Sequence, residues 1–325
     1  MKLKFLKGEG IFTNPILVTL SALLCCALWG SATPFIKMGY ELLLPKRDIA
    51  STILFAGIRF FFAGILTVVI FSIGRKRMLY PKLESWGKVA IVSVFQTILQ
   101  YIFFYVGLAN TSGVKGTILT GSSTFFAILV SSIIFRIEKL NLKKIVACIL
   151  GLFGIVVINL NGLTLSLDLL GDGFCVLSAV SLAISSTLIK IFSKEEDPVT
   201  ISGYQFMLGG AVMVIIGLSF GGKIDLGSVG GVAVLVYLSF LSAIAYSLWG
   251  ILLKYNPVSK VTIFSFTTPI FGVLLTKLLI TEESNTGVIN LIAALVLVCA
   301  GILILNYQPK KILVKDEPKS PENVT

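Results

Sequence analysis

The chain contains no histidine at all, and only 13% of its 325 residues are charged. A soluble globular protein carries about 25% charged residues, so an ordinary water-facing surface is excluded. Without histidine there is no imidazole for general base chemistry near neutral pH and none of the commonest metal ligand. The five cysteines, Cys25, Cys26, Cys148, Cys175 and Cys299, all fall in apolar stretches without metal-ligand spacing, which reads as small buried hydrophobes. No Asp or Glu lies deep within any apolar run, so the usual residues of an intramembrane proton relay are missing. Nor is there a P-loop, which speaks against ATP-driven pumping by this chain alone.

What is abundant is apolar length. Hydrophobic residues make up 56% of the sequence, and mean hydropathy is +0.96. Runs of roughly twenty apolar residues recur, the length a helix needs to cross a hydrocarbon core about 30 Å thick. Ten spans are expected, at about 14–37, 50–72, 88–109, 115–135, 143–161, 171–193, 200–221, 230–254, 258–280 and 285–307. The first follows a basic stretch, but it is long and lacks a clear small-residue cleavage site, so it reads as a retained helix. The fold class expected is therefore an all-α polytopic membrane protein.

Charge gives the orientation. The net charge of +11 arises from Lys and Arg in the loops between spans. With the N-terminus inside, most of them fall on the cytoplasmic side, as the positive-inside bias requires. Both termini are then cytoplasmic, in a multi-pass protein of a bacterial cytoplasmic membrane. A nucleic-acid partner is not expected; the lipid bilayer and a small-molecule substrate are, and the scaffold would allow a homodimer.

Sliding the chain along itself finds an internal repeat. Tyr101 falls on Tyr246, Lys115 on Lys260 and Glu138 on Glu283; GIRFFFAG (57–64) falls on GYQFMLGG (203–210), GIVVIN (154–159) on GILILN (301–306), and Lys37 on Lys190. The offsets drift slightly, as loop insertions would cause. Five helices is an odd number, so the second copy enters the membrane from the opposite side, an inverted 5+5 repeat. Carriers that work by alternating access recur on this plan, with the substrate near the midplane between repeats. The expected segments are a cytoplasmic N-terminal stretch 1–13, repeats 14–161 and 171–307, and a disordered cytoplasmic tail 308–325.

Specific stretches carry a resemblance. ALWGSATPFIKMGY (27–40), QTILQYIFFYVGL (96–108) and FSFTTPIFGVLLTKLLITEE (264–283) resemble EamA-type members of the drug/metabolite transporter superfamily. The resemblance covers residues 14–307 and implies a metabolite transporter, most plausibly an amino-acid or related exporter without a cofactor. A drug or nucleotide-sugar-type carrier is the alternative, and a non-transport assembly or sensor subunit a more distant one. No catalytic constellation is evident, so an enzyme is not expected. One departure concerns the fourth helix, where the family usually has proline. Here Thr124 stands in GSSTFF (121–126), opposite Pro269 of the second half, which puts a first-half hinge in question.

Polar groups inside spans are costly and should face protein or a water-filled cavity. Arg59 is the one charge well inside an apolar run; either it snorkels or pairs with a loop acid, which is the plainer reading, or it clamps a substrate carboxylate. Gln96 and Gln100 share a helical face with Tyr101 beside them, and Tyr246 and Trp249 share another. Amides with aromatic walls suit a small organic ligand; interhelical glue and interface anchoring are the alternatives. Ser122, Ser123, Tyr204, Gln205 and Thr268 complete the candidate substrate site. Pro269, Lys37 and Lys190 are candidates for hinge and gating roles, the lysines also being placed to snorkel. Glu138 reads as a helix-end cap or salt-bridge residue. The short 3–4 and 8–9 helix pairs are expected to rock as gates.

Overall fold

The computed structural model describes residues 10–111, 113–160, 168–279 and 288–306. Among these every regular element is helical. Nine helices are long and apolar enough to cross a membrane. They are α1 (Pro15–Leu43), α2 (Ile49–Gly74), α3 (Leu83–Asn110), α4 (Lys115–Ile134), α6 (Gly171–Phe192), α7 (Pro198–Ser219), α8 (Val229–Tyr255), α9 (Val258–Thr276) and the greater part of α10 (Val288–Asn306). The tenth, α5 (Leu142–Ile158), has 17 residues, or about 26 Å at 1.5 Å per residue. The expected tail at 308–325, and Glu283, lie outside the described residues.

Local sequence starts these helices where side chains satisfy the exposed amides of the first turn. The Asn14 carboxamide accepts from Ile16 N at 3.0 Å, Asp48 from Ser51 N at 2.7 Å, Asn141 from Lys144 N at 3.0 Å, and Ser228 from Gly231 N at 3.1 Å. Pro15 and Pro198 occupy first-turn positions, where a missing N–H costs nothing. Helix α1 runs to Leu43, about two turns past the boundary at 37 expected from hydropathy. Leu43 and Leu44 bury in a cluster with Phe55, Leu235 and Leu238, so tertiary packing holds these turns despite the polar residues Lys37 and Glu41.

The helices pack as an inverted repeat. Replacing each helix by the one five places along maps the packing onto itself: α1 rests on α8 and α9 as α6 rests on α3 and α4. Pairs α2–α7 and α5–α10 map onto themselves, so they straddle the pseudo-two-fold axis. At α2–α7 the repeat motif itself forms the contact. A β-carbon added to Gly64 would lie 2.5 Å from the Gly203 carbonyl oxygen, and one on Gly210 would lie 2.4 Å from Phe61 N. Gly57 faces Gly210 and Gly64 faces Gly203, so the two helices cross antiparallel with their backbones in contact.

Irregularities break three of the helices. Helix α3 takes a wide π turn over Val94–Leu99. Helix α9 tightens to a 3-10 turn over Ile263–Thr267, just before Pro269. Helix α4 is interrupted at Ser122, whose N–H is shared between the Ile118 and Leu119 carbonyls, and opens into a π turn at Val130–Ile134. The first-half helix thus departs from α geometry without a proline.

Candidate functional site

Polar and aromatic side chains converge where α2 and α7 cross and α3 and α8 flank them. Arg59 of α2 is 3% exposed and forms no ion pair with any carboxylate among the described residues. The expectation that it snorkels or pairs with a loop acid is thus corrected: it points inward. Its Nη2 donates to Ser242 Oγ of α8 at 3.1 Å, with Nε at 3.4 Å from the same oxygen. The guanidinium carbon lies 4.7 Å from the Phe60 ring centroid, an attractive placement for a cation. Nη1 has no hydrogen-bond partner among the described residues.

The pseudo-symmetry mate of Arg59 is Gln205 of α7. It is also buried, and its Oε1 accepts from Thr97 of α3 at 2.7 Å. Thr97 and Ser242 occupy corresponding positions, so one cross-helix bond is made twice, once from each half. The aromatic frame repeats in the same way. Phe60 and Phe206 stack across the axis at 5.1 Å; Phe60 meets Tyr101 at 4.4 Å and Phe206 meets Tyr246 at 4.9 Å. The Tyr101 and Tyr246 hydroxyls close the frame with a 2.9 Å bond.

Other groups have no such mate. Trp29 of α1 lies edge-on to Tyr246 at 5.0 Å and to Trp249 at 4.9 Å, and its Nε1 has no hydrogen-bond partner among the described residues. Tyr40 and Tyr105 lie near Arg59, in the aromatic cluster around Phe60, Phe206 and Tyr246. Gln100 lies beside Tyr246, and Gln96 Oε1, Gln100 Oε1 and Gln205 Nε2 have no hydrogen-bond partner among the described residues. A buried polar group without a partner costs about 1–3 kcal/mol, so this cluster is energetically unfinished from protein groups alone.

The structure therefore gathers Arg59, Gln100, Tyr101, Gln205, Tyr246 and Trp249 around one centre, and buries Gln96 nearby in sequence on α3. Other sequence candidates lie elsewhere. Tyr204 points to the basic end, where its hydroxyl donates to the Leu79 carbonyl at 3.0 Å and its ring meets Tyr80 and Trp86. Ser122 bonds its own helix at Leu119 O (2.5 Å), while Ser123 is buried on α4. Thr268 sits beside Cys26 of α1. Lys190 Nζ donates to Lys254 O at 2.8 Å, and Lys37 is half-buried near the end of α1. Trp29, Tyr40, Phe60, Tyr105, Phe206 and Ser242 belong to the site although none was singled out from sequence. Helical spacing carries a usable signal for some: Tyr105 follows Tyr101 by one turn, and Ser242 precedes Tyr246 by one.

The two ends of the bundle differ. At the basic end, Glu138 after α4 accepts from the Val258 and Ser259 amides at the start of α9, from Ser259 Oγ at 2.6 Å and from Lys144 at 2.7 Å. Thr124 Oγ1 adds a 2.9 Å bond to Thr262 O, and the first turns of α9 are buried. Arg75 pairs with Asp197, and Lys88 with Glu195. Burial disfavours the Glu196 charge, but the Lys82 and Asp197 amides and Ser85 outweigh it and hold this carboxyl below the usual 4.5. At the opposite end the start of α4, from Lys115 to Ser122, is mostly half-exposed. There Asp172 accepts from Lys115 at 2.7 Å and from Thr111 at 2.6 Å. A cleft of about 840 Å³ opens there between α2, α3 and α7, with Arg47 and Asp48 on its wall. All five cysteines are free, and no His/Cys/Asp/Glu group among the described residues could hold a metal.

Comparison with known proteins bears on this geometry. Residues 16–160 and 169–307 each match the model of the EamA-like transporter family. An uncharacterized transporter of Synechocystis is 27% identical over 78% of this chain and 82% of its own length. A chloroplastic WAT1-related protein of Arabidopsis thaliana is 25% identical over 85% of this chain and 68% of its own length. A crystal structure superposes with a TM-score of 0.72 at 16% identity, covering 88% of this chain and 97% of that one, a likeness of fold.

Proposed function

Since this chain belongs to the EamA-like transporter family, and so is a multi-pass membrane transporter, we propose that it exports small carboxylate-bearing metabolites, amino acids or close relatives. One observation carries the substrate class: a buried guanidinium beside the pseudo-two-fold axis that has, among the described residues, no acidic partner and no hydrogen bond at Nη1. An unpaired charge at the centre of a helix costs about 2.5–3.5 kcal/mol on insertion scales, and a substrate carboxylate would offset that cost. The Trp29 Nε1 supplies a second donor, while Gln100 Oε1 and the tyrosine and tryptophan faces suit an ammonium group. A single arginine at the centre fits one carboxylate better than a diphosphate.

The mechanism is alternating access, with repeats 14–161 and 171–307 moving against each other about the axial site. The basic end faces the cytoplasm and is latched in this structure by Glu138 on α9. Opening it requires that carboxylate to leave the α9 amides while the opposite end closes around α4. Comparing intracellular and external metabolites by mass spectrometry, in cells with and without the protein, tests the reading. A carboxylated solute shifting outward supports export; no shift in any such solute contradicts it.

A further inference from the structure

Next to the Glu138 latch, outside the axial site, lies a pocket of about 290 Å³. Lys139, Lys143, Lys144 and Lys260 line it, with Glu138 as the one acid among the described residues of its wall and Leu305 of α10 as an apolar side. Lys144 is committed to Glu138 at 2.7 Å. The four lysines come from the α4–α5 connection, the start of α5 and the start of α9, so the described lining carries more positive than negative charge, drawn from three elements.

Basic residues at a cytoplasmic rim are common, but there they project singly into water. Here they line one open pocket. The connecting segment also alternates its lysines with apolar side chains left in the open: Ile137, Leu140 and Leu142 are exposed, Leu142 by 74%. These cannot reach the bundle interior and are suited to the acyl-chain boundary beside the headgroups, which argues for a lipid over a freely diffusing anion. Basic pockets between transmembrane helices at this level are where anionic headgroups dock.

We propose that this pocket binds the phosphate of an anionic phospholipid headgroup through Lys139, Lys143 and Lys260. Because Glu138 and Ser259 of the latch form part of its wall, the lipid binds the arrangement in which the basic end is closed. The inference does not depend on which substrate the axial site takes.

The test uses the full-length protein in nanodiscs of phosphatidylcholine alone or mixed equally with phosphatidylglycerol. Phosphatidylglycerol should raise the melting temperature by about 4 °C, the scale of a ligand stabilising the native state. Combined Lys139→Gln, Lys143→Gln and Lys260→Gln should abolish the rise, whereas Lys76→Gln, Arg77→Gln and Lys194→Gln, exposed elsewhere at the basic end, should leave it. Retention of the rise in the pocket variant, or equal loss in the control, would overturn the proposal. So would inorganic phosphate producing the same pocket-dependent rise in pure phosphatidylcholine, since the anion would then be soluble. Should the triple variant fail to fold, Lys260→Gln alone is compared with wild type by native mass spectrometry. Fewer retained phosphatidylglycerol molecules support the site, and an unchanged number contradicts it.

Discussion

The two halves of the chain contribute the same frame to the axial site and different chemistry. Phe60 and Phe206 stack, Tyr101 and Tyr246 share a hydrogen bond, and Ser242 and Thr97 play equivalent parts. Yet Arg59 stands opposite Gln205, Gln100 opposite Ala245, and Tyr105 opposite Gly250. Symmetry fixes where the site lies, because equivalent contacts must meet on the axis. Departures from symmetry give it polarity, since two arginines there would repel and two glutamines would leave nothing to attract an anion.

The largest effect should come from breaking the shared frame. At Gly64 or Gly210 a leucine would meet backbone atoms closer than 3 Å. Overpacking costs about 1–3 kcal/mol even where side chains can yield, and backbone yields less. Both variants should lose the monodisperse peak in fluorescence-detected size-exclusion chromatography, whereas Gly173→Ala, in open space, should keep it.

Removing the difference between halves comes next. Arg59→Gln makes both sides of the axis alike and should weaken substrate binding about 100-fold, since losing one partner of a buried charged pair costs about 2–5 kcal/mol. Adding Gln205→Arg to that variant moves the charge to the equivalent site. Calorimetric titration should then show part of the affinity restored.

The two ends provide a third comparison. Glu138→Gln should loosen the basic end, so that a cysteine placed at Thr262 reacts about tenfold faster with a water-soluble thiol reagent, the scale of one charge-assisted hydrogen bond. Asp172→Asn should leave that rate unchanged, because its contacts lie at the other end.

Smallest is a pH effect. Glu196 is held below 4.5 in the folded protein. Its charged form therefore contributes stability that is complete above that value and lost as pH falls through the lower folded value. Glu196→Gln should flatten the melting temperature across this acid range.

Much of the frame was legible in sequence. The GIRFFFAG and GYQFMLGG match identified the surfaces that touch on the axis, and the Tyr101–Tyr246 match joined residues that bond directly. The burial of Arg59 was not legible, because distance from a helix end does not reveal which way a side chain turns. Trp29, Tyr40 and Tyr105 were hidden for another reason: an aromatic residue in an apolar span has the same appearance facing lipid or facing a site. Tyr204 sits next to Gln205, yet its side chain leaves the helix about 100° away and serves a loop.

The most direct test is the melting temperature of the purified protein against a panel of amino acids and other carboxylated metabolites, each paired with its amide. At least one carboxylate should stabilise the protein, its amide should not, and Arg59→Gln should abolish the effect. An amide as effective as its acid, or a shift that survives Arg59→Gln, would contradict a carboxylate site on the axis.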